Sequence, residues 1–239
     1  MPEVRVDRLR LAELRLPASH PKGPGIDVVY GYLVRDRDHC VLVDTGVGFG
    51  SDVIDRIYAP ERFDLAEALG YLDVSPDEVT AVVNSHLHFD HCGGNDLFRG
   101  VPIFVQQAEL DAAREPHYTV PGWVDFAGAS YAPLRGVHSI SDHLTLVPTP
   151  GHTPGHQSLV IRADGGVEIV VGQAAYSAGE FAFFFERSRG APDAEASRHL
   201  ASNASWSEAA YLESLATLAQ LGPDRAYLSH DAVSWKREH

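Results

Sequence analysis

Four residues with metal-binding side chains lie within six consecutive positions of this chain. They are His86, His88, Asp90 and His91, and they follow a short apolar run that ends at Asn84. Imidazole nitrogens and carboxylate oxygens together form a ligand set that suits zinc, iron, manganese or nickel. A single histidine after a strand is usually structural, but four such residues at this spacing predict a metal site.

Two further histidines, His152 and His230, follow the predicted strands LTLVP and RAYLS. Open α/β sheets place their ligand sites at the carboxyl ends of the strands, so these histidines could join the first cluster at one edge. Residues two apart in an extended segment point the same way. The first two histidines of the cluster are therefore expected to bind one ion, and its last two residues are expected to face a second.

The chain contains 13 histidines, of which five fall in these predicted metal positions. We assign no functional role to the others, which are expected to lie at the surface or to make local hydrogen bonds. They are His20, His39, His117, His138, His143, His156, His199 and His239.

Composition excludes several partners. The 239 residues carry 19 Lys+Arg and 33 Asp+Glu, a net charge of −14, which repels nucleic acids and anionic lipid surfaces. No apolar run approaches the roughly 18 residues of a membrane helix, and the chain begins without the apolar core of a secretory signal. We expect a cytoplasmic protein with reduced Cys40 and Cys92 that acts on a small molecule.

The GVGFG stretch at 46–50 lacks the third glycine of a dinucleotide fingerprint. These glycines therefore predict turns and not a dinucleotide site.

Alternating apolar positions predict strands in both halves of the chain, with helical stretches at 51–72 and 106–114. We therefore predict an α/β fold formed by one domain, residues 1–239, with two β-rich halves. Residues 115–142 show no clear periodicity, and a loop of that length is often functional. We interpret it as a candidate substrate-covering loop.

Two capping boxes mark predicted helix starts. Ser75 and Glu78 bracket a proline at the first helical position, and Ser205 and Glu208 precede an amphipathic pattern. The second box predicts a helix that begins directly after Ser205.

Five motifs occur in an order that identifies a family resemblance. They are LVDTG (42–46), SHLHFDHCGGN (85–95), TPGHTPGHQSL (149–159), VGQAAY (171–176) and SHD (229–231). The chain resembles the metallo-β-lactamase superfamily and, within it, the N-acyl homoserine lactone lactonases. The resemblance implies an αββα sandwich of two mixed β-sheets flanked by helices.

The resemblance also implies a ligand assignment for one or two metal ions, with zinc expected and iron or manganese possible. The first metal would be held by His86, His88 and His152, and the second by Asp90, His91 and His230. Asp44 would orient a histidine ligand as a hydrogen-bond acceptor. Where the family carries an aspartate that bridges both metals, this chain has Gln173.

The neutral Gln173 leaves two alternatives. Its amide offsets less of the repulsion between two dications than a carboxylate does. Either the second metal binds weakly, or both metals are retained and a bridging water becomes more acidic. We favour a weakened second site.

By resemblance, the chain is a hydrolase that uses a metal-bound hydroxide to cleave a lactone or similar ester. Asp90 would steer the hydroxide proton, and Tyr176 would donate a hydrogen bond to the developing oxyanion. Two alternatives stay open: hydrolysis of another activated bond, such as a thioester, phosphoester or aryl ether, and a non-catalytic subunit or ligand binder with a degenerate site.

Aromatic residues suggest an apolar or aromatic substrate. Candidate pocket residues are Trp123, Phe126, Tyr131, Phe181, Phe183, Phe184 and Phe185. The Phe-Ala-Phe-Phe-Phe run at 181–185 could equally be an exposed patch covered by another chain, which would indicate a homo- or hetero-oligomer.

Overall fold

A computed structural model describes residues 4–20, 22–187 and 205–238. The chain divides into two compact units, Met1–Leu134 and Arg135–His239. Each unit contains one of the two β-rich halves that the sequence predicts, built on its own mixed sheet. His199 and His239 lie outside the described residues.

The first unit contains a seven-stranded sheet. Its strands are β1 (Arg5–Leu16), β2 (Gly25–Asp36), β3 (His39–Val43), β4 (Glu61–Arg62), β5 (Ala81–Val83), β6 (Pro102–Gln106) and β7 (Ser130–Leu134). The spatial order is β4-β1-β2-β3-β5-β6-β7. β1, β2, β3 and β4 pair antiparallel, whereas β3, β5, β6 and β7 run parallel. The segments after β3 and β5 therefore leave the sheet at the same edge, which places Asp44 beside the histidine cluster.

The described part of this unit has four α-helices, α1 (Asp52–Tyr58), α2 (Leu65–Gly70), α3 (Gln107–Ala112) and α4 (Pro121–Val124). Two 3₁₀ helices, Pro76–Glu78 and Asn95–Phe98, connect them to the strands. The first capping box introduces one of these 3₁₀ helices, with the Ser75 N–H donating to Glu78 Oε2 at 2.8 Å.

The helix predicted over 51–72 is interrupted. α1 ends at Tyr58, its C-cap Ala59 has a φ of 38°, and the two-residue strand β4 follows before α2 begins. Pro60 causes the break, because it lacks a backbone N–H and disfavours helical backbone at the preceding residue. The residues after the break form β4, which pairs with β1.

The core of the first unit lies between its sheet and its helices, with Ile54 of α1 and Leu69 of α2 in the same buried cluster as the strand residues. Leu33, Val82 and Ile103 come from three different strands and are fully buried. Burying each of these side chains contributes about 1.5–3 kcal/mol. This packing fixes the ends of the strands from which the metal-binding residues leave the sheet.

The second unit contains a six-stranded sheet. Its strands are β8 (His138–Ser139), β9 (Leu144–Pro148), β10 (Gln157–Ala163), β11 (Gly166–Gly172), β12 (Arg225–Leu228) and β13 (Trp235–Lys236). The order is β13-β12-β11-β10-β9-β8. β10 and β11 form the predicted hairpin, and β11 runs parallel to β12. Gln173 and His230 follow these two parallel strands, so both leave the sheet at one edge.

Two helices belong to the described part of the second unit, α5 (Ala178–Arg187) and α6 (Glu208–Gln220). The prediction that Ser205 caps α6 is wrong. Ser207 is the cap, and its hydroxyl accepts a hydrogen bond from the Ala210 N–H. The Ser205 hydroxyl donates instead to the carbonyl oxygen of His152 at 2.7 Å.

The aromatic run at 181–185 is not an exposed patch. Phe181 and Phe184 are buried in the core of the second unit, and Phe183 and Phe185 pack against that core. The argument for an oligomer from this run is therefore wrong. The oligomeric state itself stays a prediction.

The segment 115–142, predicted to be a loop, contains α4, β7 and β8. Trp123 is buried in the core of the first unit, and Phe126 and Tyr131 pack against it. The Trp123 Nε1–H donates to the carbonyl oxygen of Phe49 at 3.1 Å. These aromatic residues are core, and a substrate-covering role for the remainder of the segment stays a prediction.

None of the helices in the described ranges has the length and apolar character that a membrane crossing requires.

Candidate metal centre

A donor loop, residues 84–95, follows β5 in the first unit and carries two pairs of potential metal ligands. His86 Nε2 and His88 Nδ1 lie 3.1 Å apart, with the two rings edge to face. Asp90 Oδ2 and His91 Nε2 lie 3.6 Å apart. The four predicted ligands of the donor loop thus form two donor pairs, which we call the His86–His88 pair and the Asp90–His91 pair.

The geometry of both pairs fits zinc. Tetrahedral zinc binds imidazole nitrogens at about 2.0–2.1 Å, which places two ligand atoms about 3.3–3.4 Å apart. The separations of 3.1 Å and 3.6 Å lie on either side of that value. Imidazole and carboxylate are also the donor types that zinc accepts. The donor loop therefore fits a metal at each pair.

Asp44 orients the ring of His91, as predicted. Its backbone has φ 62°, a left-handed conformation that turns the chain directly after β3. Oδ2 contacts His91 Nδ1 at 2.8 Å, and the same carboxylate accepts from the N–H and the hydroxyl of Ser85, each at 2.7 Å. Because Nδ1 faces a carboxylate it carries the proton, which leaves the Nε2 lone pair for a metal.

The charges around His91 also change its pKa. Burial is the largest influence and lowers the pKa, but the charges of Asp90, Asp44 and Asp27 and the hydrogen bond to Asp44 outweigh it. Together they raise the pKa of His91 from 6.5 to about 9. In the metal-free chain both ring nitrogens are therefore protonated at neutral pH, and a metal must displace the proton on Nε2.

An amide network fixes the backbone of the donor loop at His91. The His91 carbonyl oxygen accepts from the Thr45 N–H at 2.8 Å and from Asn84 Nδ2 at 3.1 Å. Asn95 Nδ2 donates to Asn84 Oδ1 at 2.9 Å, and Asn95 Oδ1 accepts from the Thr45 hydroxyl at 2.8 Å. Satisfied buried polar networks of this kind hold a loop in one conformation.

Gly48 and Gly93 allow the donor loop to pack against the segment after β3. A Cβ on Gly93 would lie 1.9 Å from the backbone nitrogen of Gly48. In the same segment Gly46 and Gly50 have φ values of 77° and 82°, so the interpretation of GVGFG as turn geometry is confirmed.

Cys92 is a packing residue of the donor loop and not a nucleophile. It is fully buried, and its thiol donates to the carbonyl oxygen of Leu87. Burial raises the pKa of Cys92 to about 12. The reactive thiolate is therefore almost absent at neutral pH.

In the second unit, the start of α6 holds the segment that carries His152. The Gly151 carbonyl oxygen accepts from the N–H groups of Trp206 and Ser207, at 3.1 Å and 3.0 Å. The Ser205 hydroxyl lies 3.4 Å from His152 Nδ1 and donates to the His152 carbonyl oxygen. His152 thereby presents Nε2 as the ring nitrogen turned away from Ser205.

His156 supports the backbone at Gln173. Its Nε2 accepts from the Gln173 N–H at 2.9 Å, so this nitrogen is unprotonated. Its Nδ1 lies 2.9 Å from the Thr149 hydroxyl and 3.1 Å from the Thr149 carbonyl oxygen. His156 is therefore a neutral, buried structural histidine, consistent with the expectation of local hydrogen bonding.

Tyr176 and His230 lie face to face. Their ring centroids are 5.0 Å apart, and the ring planes differ by 9°. The Tyr176 N–H donates to Glu180 Oε2 at 2.6 Å, and Asp231 Oδ2 accepts from the Ala178 N–H at 2.8 Å. These bonds position the Tyr176 segment beside the segment that carries His230.

The site residues thus fall into two sets, one in each unit. The first unit brings together His86, His88, Asp90 and His91, and the second brings together Tyr176 and His230. Sequence analysis missed three contacts: Glu109 Oε1 accepts from the Leu87 N–H of the donor loop at 2.8 Å, His156 accepts from the Gln173 N–H, and Ser205 donates to His152. The repeated TPGH in TPGHTPGH was a signal for His156. No sequence pattern distinguishes Glu109 from an ordinary acidic residue in the first turn of a helix.

A protein-family model described as the metallo-beta-lactamase superfamily matches residues 24–230. The chain belongs to this superfamily. The match to the metallo-β-lactamase model begins before β2 and includes every predicted metal ligand.

Individual proteins are also similar to the chain. An N-acyl homoserine lactonase from Bacillus sp is 30% identical over 166 residues, which cover 64% of this chain and 66% of the relative, just under two thirds of its length. A solved N-acyl homoserine lactone hydrolase, with N-hexanoyl-L-homoserine product at its catalytic metal centre, is 25% identical with a TM-score of 0.77, covering 97% of this chain and 95% of that one. AidC, described as a dizinc quorum-quenching lactonase, has a TM-score of 0.65 at 18% identity over 97% and 90% of the two chains.

These likenesses confirm the metallo-β-lactamase fold, with two mixed β-sheets flanked by helices. They also confirm the resemblance to the N-acyl homoserine lactonases.

Proposed function

We propose that the chain is a metal-dependent hydrolase that opens a lactone or a similar ester. The observation that carries this proposal is the donor loop, whose two donor pairs have zinc-compatible separations of 3.1 Å and 3.6 Å. Membership of the metallo-β-lactamase superfamily supports a hydrolase, and the lactonase relatives support the lactone as substrate.

The proposed metal ligands are those that the family resemblance implies. They are His86, His88, Asp90, His91, His152, Gln173 and His230. We propose one or two zinc ions, with iron or manganese as alternatives. The imidazole-rich donor set suits zinc, and a solved lactonase of the same fold is described as a dizinc enzyme.

Bound zinc would polarise the ester carbonyl and make water nucleophilic at neutral pH. The chain's own residues would supply orientation and proton control. Asp44 keeps the proton of His91 on Nδ1, so that Nε2 is the ligand atom. Asp90 would accept and steer a proton near the attacked carbon, and the Tyr176 phenol would donate to the developing oxyanion.

An apolar substituent on the substrate is supported by the flank of the donor loop. Phe89, between His88 and Asp90, stacks on Tyr58 with ring centroids 4.7 Å apart. This aromatic pair offers apolar contact area beside the donor pairs. The buried Trp123, Phe181 and Phe184 do not serve that purpose.

Gln173 favours a second candidate function. Without a carboxylate at that position, a weakened second metal could suit the cleavage of another activated bond, such as a thioester or an aryl ether. The cytoplasmic location and a homo- or hetero-oligomeric state stay predictions.

The test combines elemental analysis with assays on three substrates. We expect the purified chain to contain at least one equivalent of zinc and to open an N-acyl homoserine lactone faster than it cleaves an open-chain ester or an aryl ether. Full metal loading with cleavage of only the other substrates would support the second candidate. Metal loading without any turnover would indicate a ligand binder, and a chain that binds no metal would refute both hydrolase proposals.

A further inference from the structure

Glu109 is a fully buried carboxyl group that the proposed chemistry does not use. It lies in the first turn of α3, and none of its surface is exposed. Burial of a carboxylate is unfavourable unless hydrogen bonds satisfy it. Glu109 Oε1 accepts two such bonds, from the Leu87 N–H at 2.8 Å and from the Tyr118 hydroxyl.

The first bond anchors the donor loop between two proposed ligands. Leu87 separates His86 from His88, and its side chain is fully buried in a cluster with Cys92 and Val105. The Leu87 N–H needs an acceptor inside the protein, because a buried amide without one is costly. Glu109 supplies that acceptor, so its carboxylate fixes the peptide that joins His86 to Leu87.

The second bond acts on the ring of His88. The rings of Tyr118 and His88 lie 4.9 Å apart with their planes tilted by 46°. The hydroxyl of the same tyrosine donates to Glu109. Tyr118 is therefore held against the face of His88, where it limits rotation of the imidazole ring.

We propose that Glu109 is a positioning residue that holds the His86–His88 pair in its metal-binding geometry. It acts through the Leu87 amide on the backbone and through Tyr118 on the His88 ring. This inference rests on the proposed function, because it assumes that the pair binds a metal. Residues that orient metal ligands in this way typically change metal affinity about 10- to 100-fold when they are removed.

Asp111 provides a matched control on the same helix. It is exposed, and its carboxylate accepts hydrogen bonds from the side chains of Gln107 at 2.9 Å and Arg114 at 3.3 Å. Leu69 provides a control for lost stability, since it is fully buried in the core of the first unit on α2. Neither residue contacts the donor loop through a hydrogen bond in the described structure.

The experiment measures zinc affinity by competition with a chromophoric chelator, using the full chain and each variant well below its unfolding temperature. We expect Glu109→Ala to weaken zinc binding by about 10- to 100-fold. Glu109→Gln should stay close to the wild type, because its amide oxygen still accepts from Leu87 and Tyr118. Asp111→Ala and Leu69→Ala should bind zinc as the wild type does. Among these four variants, only Glu109→Ala should change the visible spectrum of the cobalt-substituted protein.

Tyr118→Leu keeps the test valid if Glu109→Ala does not fold. It removes both the hydroxyl and the ring beside His88, and we expect zinc affinity to fall by about tenfold. Unchanged affinity in the folded Glu109→Ala or Tyr118→Leu variant would overturn the inference while the proposed function stands. An equal loss in Leu69→Ala would also overturn it, because the effect would then be one of stability. A wild-type chain that binds no zinc would overturn both proposals.

Discussion

The Asp44 carboxylate lies 2.8 Å from His91, measured from Oδ2 to Nδ1, and both side chains are buried. This contact assigns the proton of His91 to one nitrogen and leaves the other to bind a metal. The Asp90–His91 pair therefore depends on Asp44, a residue outside the ligand set.

Replacing Asp44 tests this dependence. Asp44→Ala removes the acceptor for His91 and for both hydrogen bonds from Ser85. We expect zinc affinity to fall by about 10- to 100-fold, measured by chelator competition. Asp52→Ala, an exposed change in the first turn of α1, should leave it unchanged. If Asp44→Ala binds zinc as tightly as the Asp52 control, the orienting role is wrong.

The raised pKa of His91 predicts a pH dependence for metal uptake. With a pKa of about 9 in the metal-free chain, His91 is protonated at neutral pH, and zinc must displace that proton. Apparent zinc affinity should therefore rise with pH, by about tenfold per unit for this one group, and level off above pH 9. Calorimetry in buffers of different ionisation enthalpy should show proton release near pH 7.5. Identical heats in all buffers would contradict the assignment.

Gln173 is predicted to limit binding at the second metal. Gln173→Asp should increase zinc stoichiometry toward two equivalents, because a carboxylate offsets the repulsion between two dications. Gln173→Asn, which keeps the neutral amide, is the matched control and should not change it. Both variants keep the backbone N–H that donates to His156. Equal stoichiometry and affinity in the Asp and Asn variants would refute a weakened second site.

Ser205 and Ser207, two positions apart, should have separable effects. Ser207→Ala removes the cap of α6 and should lower the free energy of unfolding by about 1 kcal/mol, with zinc affinity unchanged. Ser205→Ala removes the bond to the His152 carbonyl oxygen and should weaken zinc binding. Urea unfolding and chelator competition on both variants check this pair. The assignment is wrong if Ser205→Ala binds zinc normally, or if Ser207→Ala alone reduces zinc binding.

The sequence predicted the donor loop well because its ligands are local. His86, His88, Asp90 and His91 lie in one short segment after a buried strand, so spacing alone indicates their convergence. The role of Asp44 was predicted through the family resemblance, and the structure places this residue beside the donor loop because β3 runs parallel and adjacent to β5. Local capping rules also located the 3₁₀ helix after Ser75.

Long-range contacts account for what the sequence did not predict. Glu109 supports a loop 22 positions earlier in the chain, and that contact depends on how α3 packs after β6. Ser205 satisfies the capping pattern, but tertiary contact with His152 uses its hydroxyl and the cap moves to Ser207. The phenylalanines at 181–185 have no periodicity that separates an exposed face from a buried one. Their burial is decided by the second sheet and α6.

The most direct test of the central claim is lactone opening by one preparation before and after metal removal. Turnover of N-hexanoyl homoserine lactone should be lost when the chain is stripped of metal by a chelator. It should return as zinc is added back, in proportion to the zinc bound by the chain. Undiminished turnover by the stripped protein, or a zinc-refilled protein that leaves the lactone intact, would contradict a metal-dependent lactonase.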